Sequence, residues 1–212
     1  MLNKLLASFI GHLKPDRVTE RSSRAIELPK PQQDGGEPLM KVLAQRHSER
    51  TFQKTPLPPQ VLSNLLWAAF GINRPETGDR TAPSALNAQE IDVYAALAEG
   101  LYIYDAKAHA LRLVAEVDAR RVTGYQDFVD EAPLDLIYVA DHAHTPAAVA
   151  DHEQLYAAVC SGAIAQNVYL YCASAGLSTV VRALFDRKAL AAALRLGKHE
   201  EVLLAQTVGY PS

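Results

Sequence analysis

QLYAAVCSGAIAQNVYLYCASAGLSTVV, the 28 residues from Gln154 to Val181, contains no charged side chain. The length would suit a membrane span, but Gln154, Ser161, Gln166, Asn167, Ser174 and three tyrosines are too polar for hydrocarbon. Gly176 marks the end of a helix, and Thr179 to Val181 is a β-branched run that reads as a strand. A helix without a charged face must be covered on nearly all sides. One small sheet covers one side, so a second copy of the chain is expected on the other, with the helix Tyr156 to Ala175 at the heart of a homodimer.

The chain around this rod has 212 residues, 49% of them hydrophobic and 21% charged, which suits one domain with a substantial core. A formal charge of -3 leaves no basic surplus for a polyphosphate backbone, so no nucleic-acid partner is expected. Cys160 and Cys172 match neither a metal spacing nor a disulfide framework and read as buried small hydrophobes. At the start, Leu2, Leu5, Leu6, Phe9, Ile10 and Leu13 make one face of an amphipathic helix over Met1 to Lys14. Gly11, His12, Lys14 and Asp16 interrupt too early for a secretory signal, and a cytoplasmic protein is expected. That helix is read as docking on the protein itself or a sister subunit, with a membrane-surface anchor as the sharper alternative.

Arg17 to Glu37 reads as an extended, wrapping linker rich in Pro, Gln and Gly. A short helix is expected to begin at Pro38, with Leu39, Val42 and Leu43 on one face, and to deliver Arg46 to Arg50 at its end. Pro58 and Pro59 open a second helix that stops at Gly71. Ile91 to Ala95, Leu101 to Tyr104, Ala110 to Val114, Leu134 to Ala140 and Val202 to Gly209 read as strands. Val117 to Glu131 and Asp186 to Leu196 read as helices. The mixture lacks strict alternation, which favours an α+β sandwich around a mostly antiparallel sheet.

Three segments carry types that suit chemistry. Arg46, His47, Ser48, Glu49 and Arg50 place two guanidinium forks and a hydroxyl within five residues, a set that matches phosphate oxygens. Arg80 to Gln89 is a polar loop of small residues in which Asn87 and Gln89 offer amides able to donate and accept, as the edge of a heterocycle requires. Arg182 leaves a buried run and needs a polar partner, for which a carboxylate such as Asp186 is one choice. Asp141, His142, His144, Asp151 and His152 read as solvated loop residues, and no metal is expected. Ser161 lacks the flanking glycine of a nucleophile elbow.

In this order the segments resemble the nitroreductase family of flavoproteins, near the branch grouped with the azoline-forming peptide oxidases. The landmarks are RHSERTF (Arg46 to Phe52), LLWAAFGINR (Leu65 to Arg74), RTAPSALNAQEIDVY (Arg80 to Tyr94), AQNVYLYCASAGL (Ala165 to Leu177) and QTVGYP (Gln206 to Pro211). The resemblance implies a sandwich of helices on a central, mostly antiparallel sheet in an intertwined homodimer. It makes residues 1–37 a helix and linker and residues 38–212 an FMN-binding domain. Arg46, His47, Ser48 and Arg50 would hold the FMN phosphate, ribityl chain and pyrimidine edge. Pro83, Ser84, Ala85 and Asn87 would come from the other subunit. Val181, Arg182 and Ala183 would lie along the ring near N5, with Arg182 tuning N1/O2 or reaching the phosphate, and Gln126 would meet the pyrimidine edge.

The activity implied is ping-pong hydride transfer from NADH or NADPH through flavin N5 to a small oxidised substrate, the flavin carrying the chemistry. A flavin oxidase or dehydrogenase acting on a small molecule or peptide, and a non-catalytic flavin-binding protein, are the alternatives. Many relatives continue past G-Y-P with a basic pair, whereas this chain stops at Ser212, so phosphate neutralisation is expected to rest on fewer arginines. The lysine–tyrosine motif expected of azoline-oxidising relatives has no clear counterpart here.

Overall fold

The computed structural model describes residues 24–212, so the expected helix over Met1 to Lys14 and the first residues of the linker lie outside the described residues. In chain order the elements are β1 (Ala25–Glu27), α1 (Leu39–Gln45), α2 (Pro59–Phe70), β2 (Ile72–Arg74), β3 (Asp79–Arg80), β4 (Ile91–Leu97), β5 (Gly100–Asp105), β6 (Ala110–Ala115), β7 (Leu134–Asp141), α3 (Glu153–Ala175), β8 (Ser178–Arg182), α4 (Arg187–Leu194) and β9 (Glu200–Gly209). Seven strands form one sheet in the order β1-β6-β5-β4-β7-β9-β8, and every pairing is antiparallel. The α+β class expected from the mixed pattern is the class observed.

Side chains of a strand alternate between faces, and the central strands use both. Leu134, Leu136, Tyr138 and Ala140 of β7 join Ile91, Val93 and Ala95 of β4 under α2 and α3. Ile137 and Val139, with Tyr94 and Ala96, point the other way and pack on Leu190 and Leu194 of α4. Coverage on both faces is why Leu134 to Ala140 reads as an almost unbroken apolar run. Cys160 and Cys172 are buried and in no disulfide, on the sheet side of α3. Gly176 closes α3 in the left-handed region, φ 68°, with its N–H donating to the Cys172 carbonyl. Among the described residues no helix is long and apolar enough to cross a membrane.

Two expectations need correction. Val117 to Glu131 is not one helix but two short 3-10 turns, Arg120–Thr123 and Asp127–Asp130, broken by extended backbone at Gly124 and Gln126. The packing at the break requires glycine, since a Cβ on Gly124 would collide with the Arg182 guanidinium and the Gln126 side-chain oxygen. Part of the stretch read as linker is also a strand, because Ala25–Glu27 pairs with Ala110–Arg112 at the sheet edge.

Beyond β1 the chain crosses α2 and α3 as a strap. Ser63 Oγ donates to the Pro29 carbonyl at 2.5 Å, Gln32 N–H donates to Asn64 at 2.8 Å, and Glu37 N–H donates to Ser174 Oγ at 2.9 Å. His109 lies between Ser63 Oγ at 2.7 Å and the Tyr104 hydroxyl at 2.9 Å, with Pro29 O 3.1 Å from its Nε2. Burial holds the His109 pKa below 6.5, partly opposed by the Pro29 carbonyl. A histidine with a depressed folded pKa contributes stability that is present above its unfolded pKa and is lost as pH falls. Amide exchange along residues 24–37 is therefore expected to quicken between pH 7.5 and pH 5 relative to the central strands. A His109→Gln variant, which does not titrate, should lose that pH dependence.

Candidate functional site

α1 ends at Gln45, and Arg46 turns the chain out of the helix with φ -56° and ψ 120°. The five residues that follow run beside β8, the last strand of the sheet, whose outer edge has no strand partner among the described residues. Alternate residues of an edge strand present their backbone groups outward, and this loop and α3 take them up. Glu49 N–H donates to the Thr179 carbonyl at 3.0 Å, and Val181 N–H donates to the Tyr169 hydroxyl at 3.0 Å. The same hydroxyl is 2.7 Å from Ser48 Oγ, and the Arg46 guanidinium lies 5.2 Å from the centre of the Tyr169 ring. Tyr169 thus ties the arginine-bearing loop to β8.

The Glu49 carboxylate pairs with neither Arg46 nor Arg50, and its Oε2 oxygen lies 3.8 Å from His47 Nε2. It folds back on the loop, accepting from the Arg50 and Thr51 N–H groups and from Thr51 Oγ1. These bonds, the Arg50 N–H first, hold its pKa below the usual carboxylate value. Arg46 and Arg50 form no ion pair with any of the described residues. His47 is exposed, with Nδ1 2.7 Å from the Gln45 carbonyl. A cleft of ≈ 370 Å³ opens here, walled by His47, Glu49, Tyr169, Thr179 and Pro211.

The second loop meets α3 on its other flank. Asn167 donates to the Thr81 carbonyl at 3.3 Å, and Asn167 stands two residues, about 200° of helical rotation, from Tyr169. Leu86, Asn87 and Gln89 adopt positive φ, which folds the loop tightly on itself. Ser84 Oγ accepts from Gln89 N–H at 2.9 Å, and Asn87 donates to Asp79 at 2.9 Å. Gln89 donates to the Gly78 carbonyl at 3.1 Å and accepts from Arg80 at 2.8 Å. These amides, read from sequence as groups for a heterocycle, are committed to holding the loop, which leaves Pro83 exposed at its surface.

Arg182 points inward. Its guanidinium donates to Asp135 Oδ1 at 2.6 Å, to the Thr123 carbonyl at 2.5 Å and to Thr207 Oγ1 at 2.7 Å, and its side chain is 4% exposed. The counter-charge is Asp135, not Asp186, which accepts from Lys188 and Ala189 N–H at the start of α4. Burial pushes the Asp135 carboxyl up to about 6 against the pull of Arg182 and Thr207. Beside this pair, Gln126 Oε1 is buried and has no hydrogen-bond partner among the described residues.

Within one protomer, then, Arg46, His47, Ser48 and Arg50 gather beside Val181, and exposed Ala183 follows on from β8. The loop that carries Pro83, Ser84, Ala85 and Asn87 meets α3 through Thr81, at Asn167 on the opposite flank, and Arg182 is part of the interior. Sequence reasoning missed Tyr169 and Asp135. An acid inside the apolar run LDLIYVA was the available signal for Asp135; a tyrosine inside an uncharged helix offered none. In the His-rich loop, His142 lies 3.3 Å from Glu201 and His144 lies 2.7 Å from Asp141, as ion pairs when protonated.

Residues 43–210 match the model of the nitroreductase family. A curated relative named a nitroreductase, MJ1384 of Methanocaldococcus jannaschii, is 32% identical over 161 residues, 71% of this chain and 81% of its own. The crystal structure of a protein named a nitroreductase from Ralstonia eutropha JMP134 is 47% identical, with a TM-score of 0.83 over 94% of this chain and 95% of that one. Two more distant structures share the fold. The E. coli microcin synthetase McbBCD complex gives a TM-score of 0.69 at 19% identity, covering 98% of this chain and 81% of that one. The NADPH:FMN oxidoreductase of Vibrio harveyi, complexed with NAD+, gives 0.59 at 18% identity, covering 82% and 69%. With the arginine-bearing loop set against the edge of β8 and a family match running from residue 43 to residue 210, this protein belongs to the nitroreductase family.

Proposed function

We propose that the chain is an FMN-dependent NAD(P)H oxidoreductase that works as a homodimer, each cofactor site built from both subunits. The observation that carries this reading is the free basic loop at the β8 edge. Two guanidinium groups without carboxylate partners and an exposed hydroxyl suit a phosphate and a polar chain, and the orphaned Gln126 oxygen suits a ring N–H. Arg46 and Arg50 would take the phosphate, Ser48 and His47 the ribityl chain and pyrimidine edge, and the backbone of Val181 to Ala183 the ring. When bound, FMN would supply the redox chemistry, hydride exchange between NADH or NADPH and a small oxidised substrate.

The other half of each site is Pro83, Ser84, Ala85 and Asn87. Because that loop reaches α3 from the opposite flank, a two-fold copy is the simplest way to bring it to the basic loop. The uncovered apolar side chains support the same assembly, with Leu155 and Val159 on α3 at 59% and 61% exposure and Met40 on α1 at 76%.

Purified protein should absorb between about 350 and 500 nm and release a compound with the mass of FMN on denaturation. Stopped-flow mixing with NADH or NADPH should bleach that absorbance; bound flavin that stays oxidised at millimolar donor would leave the oxidase or flavin-carrier readings. Arg50→Ala should weaken FMN binding about tenfold to a hundredfold, the range for a hydrogen bond to a charged group, with a much smaller effect on riboflavin, which has no phosphate.

A further inference from the structure

We propose that Tyr169 is a positioning residue that makes Ser48 a one-way hydrogen-bond donor to the bound cofactor, an inference that rests on the flavin reading above. The basis is proton counting around one hydroxyl. A tyrosine hydroxyl has one proton to give. The Tyr169 oxygen already accepts from Val181 N–H at 3.0 Å, and Ser48 Oγ, 2.7 Å away, is its one acceptor among the described residues. Tyr169 is 7% exposed, so water has little access to the bond. The Tyr169 proton therefore goes to Ser48 Oγ, which leaves the Ser48 proton free to turn outward. Ser48 is exposed and stands between Arg46 and Arg50, so a phosphate, ribityl or carbonyl oxygen held there receives a neutral donor beside two cationic ones.

The Arg46 guanidinium over the Tyr169 ring, at 5.2 Å, keeps the ring and the loop in one arrangement. The backbone bond from Val181 fixes the hydroxyl from its other side. Tyr169 acts through Ser48 and itself need not touch the ligand.

The test compares wild type, Tyr169→Phe, Ser48→Ala and the double variant by quenching of FMN fluorescence on binding, with melting of each apoprotein as a second readout. Each single change is expected to raise the FMN dissociation constant about fivefold to twentyfold. The double variant should bind no more weakly than Ser48→Ala, because Tyr169 acts only through the Ser48 hydroxyl. Ser48→Thr, which keeps the hydroxyl, should bind within about threefold of wild type. Losses that multiply in the double variant, or Tyr169→Phe binding FMN like wild type, would overturn the inference. If Tyr169→Phe does not fold, Ser48→Ala decides alone, and unchanged FMN binding by it overturns the inference. A wild type that takes up no FMN overturns the flavin reading and this inference with it, whereas a wild type that binds FMN beside an indifferent Ser48→Ala overturns this inference only.

Discussion

Arg182→Met is expected to lower folding stability by about 3–5 kcal/mol, the usual consequence of stripping the partner from a buried charge. The methionine keeps apolar bulk but leaves the Asp135 carboxylate, fully buried, with only hydroxyl donors. The deficit should depend on pH in a defined direction. Burial raises the folded pKa of Asp135 above 3.8, and losing Arg182 removes the chief opposing influence. A carboxyl with a raised folded pKa keeps its proton in the folded state where the unfolded chain has released it, so stability falls as pH climbs through that window. Denaturant unfolding of the variant should show a smaller loss near pH 4.5 than near pH 7.5. Pairing Arg182→Met with Asp135→Leu should restore most of the stability, since an apolar pair of similar volume avoids burying either charge. A single variant within about 1 kcal/mol of wild type at pH 7.5 would mean that Asp135 is already neutral in the folded protein.

Val159→Glu is expected to split the proposed dimer. Val159 and Leu155 lie four residues apart on the face of α3 turned away from the sheet, and both are more than half exposed in the single chain. A two-fold interface would bury the new carboxylate twice, once from each protomer, so two unpaired charges would be desolvated. Sedimentation at micromolar concentration should move from dimer to monomer, an affinity loss of at least about a hundredfold at about 3 kcal/mol or more. FMN should be lost with the dimer, because in the proposed assembly each cofactor site would draw Pro83, Ser84, Ala85 and Asn87 from the second subunit. A Val159→Glu variant that stays a stable dimer would remove α3 from the interface, and a monomer that keeps FMN would place the whole site in one chain.

Gly124 shows how local sequence and distant packing contend. Residues 117–131 have no strong breaker besides one glycine, and helix is a fair reading of their periodicity. What decides against it is Arg182, 58 positions later, whose guanidinium occupies the space beside Gly124 and donates to the Thr123 carbonyl. Likewise, nothing in the composition of Ala25–Glu27 marks a strand; its pairing depends on β6 offering a free edge.

The amino-acid sequence alone determined the class of the fold and the place of the basic loop, because both rest on short-range rules. Side-chain period separates strands from helices, proline and glycine punctuate α2 and α3, and the absence of charge over 28 residues demands cover. Tertiary structure decided which polar groups meet. It turned Arg182 toward Asp135, folded Glu49 back on its own loop, committed Asn87 and Gln89 to each other's turn, and set Tyr169 between Ser48 and Val181. The physical reason is that apolar burial is nondirectional and survives in a one-dimensional pattern, whereas a hydrogen bond needs its partner within about 3 Å, and that partner is brought there only when remote segments have packed.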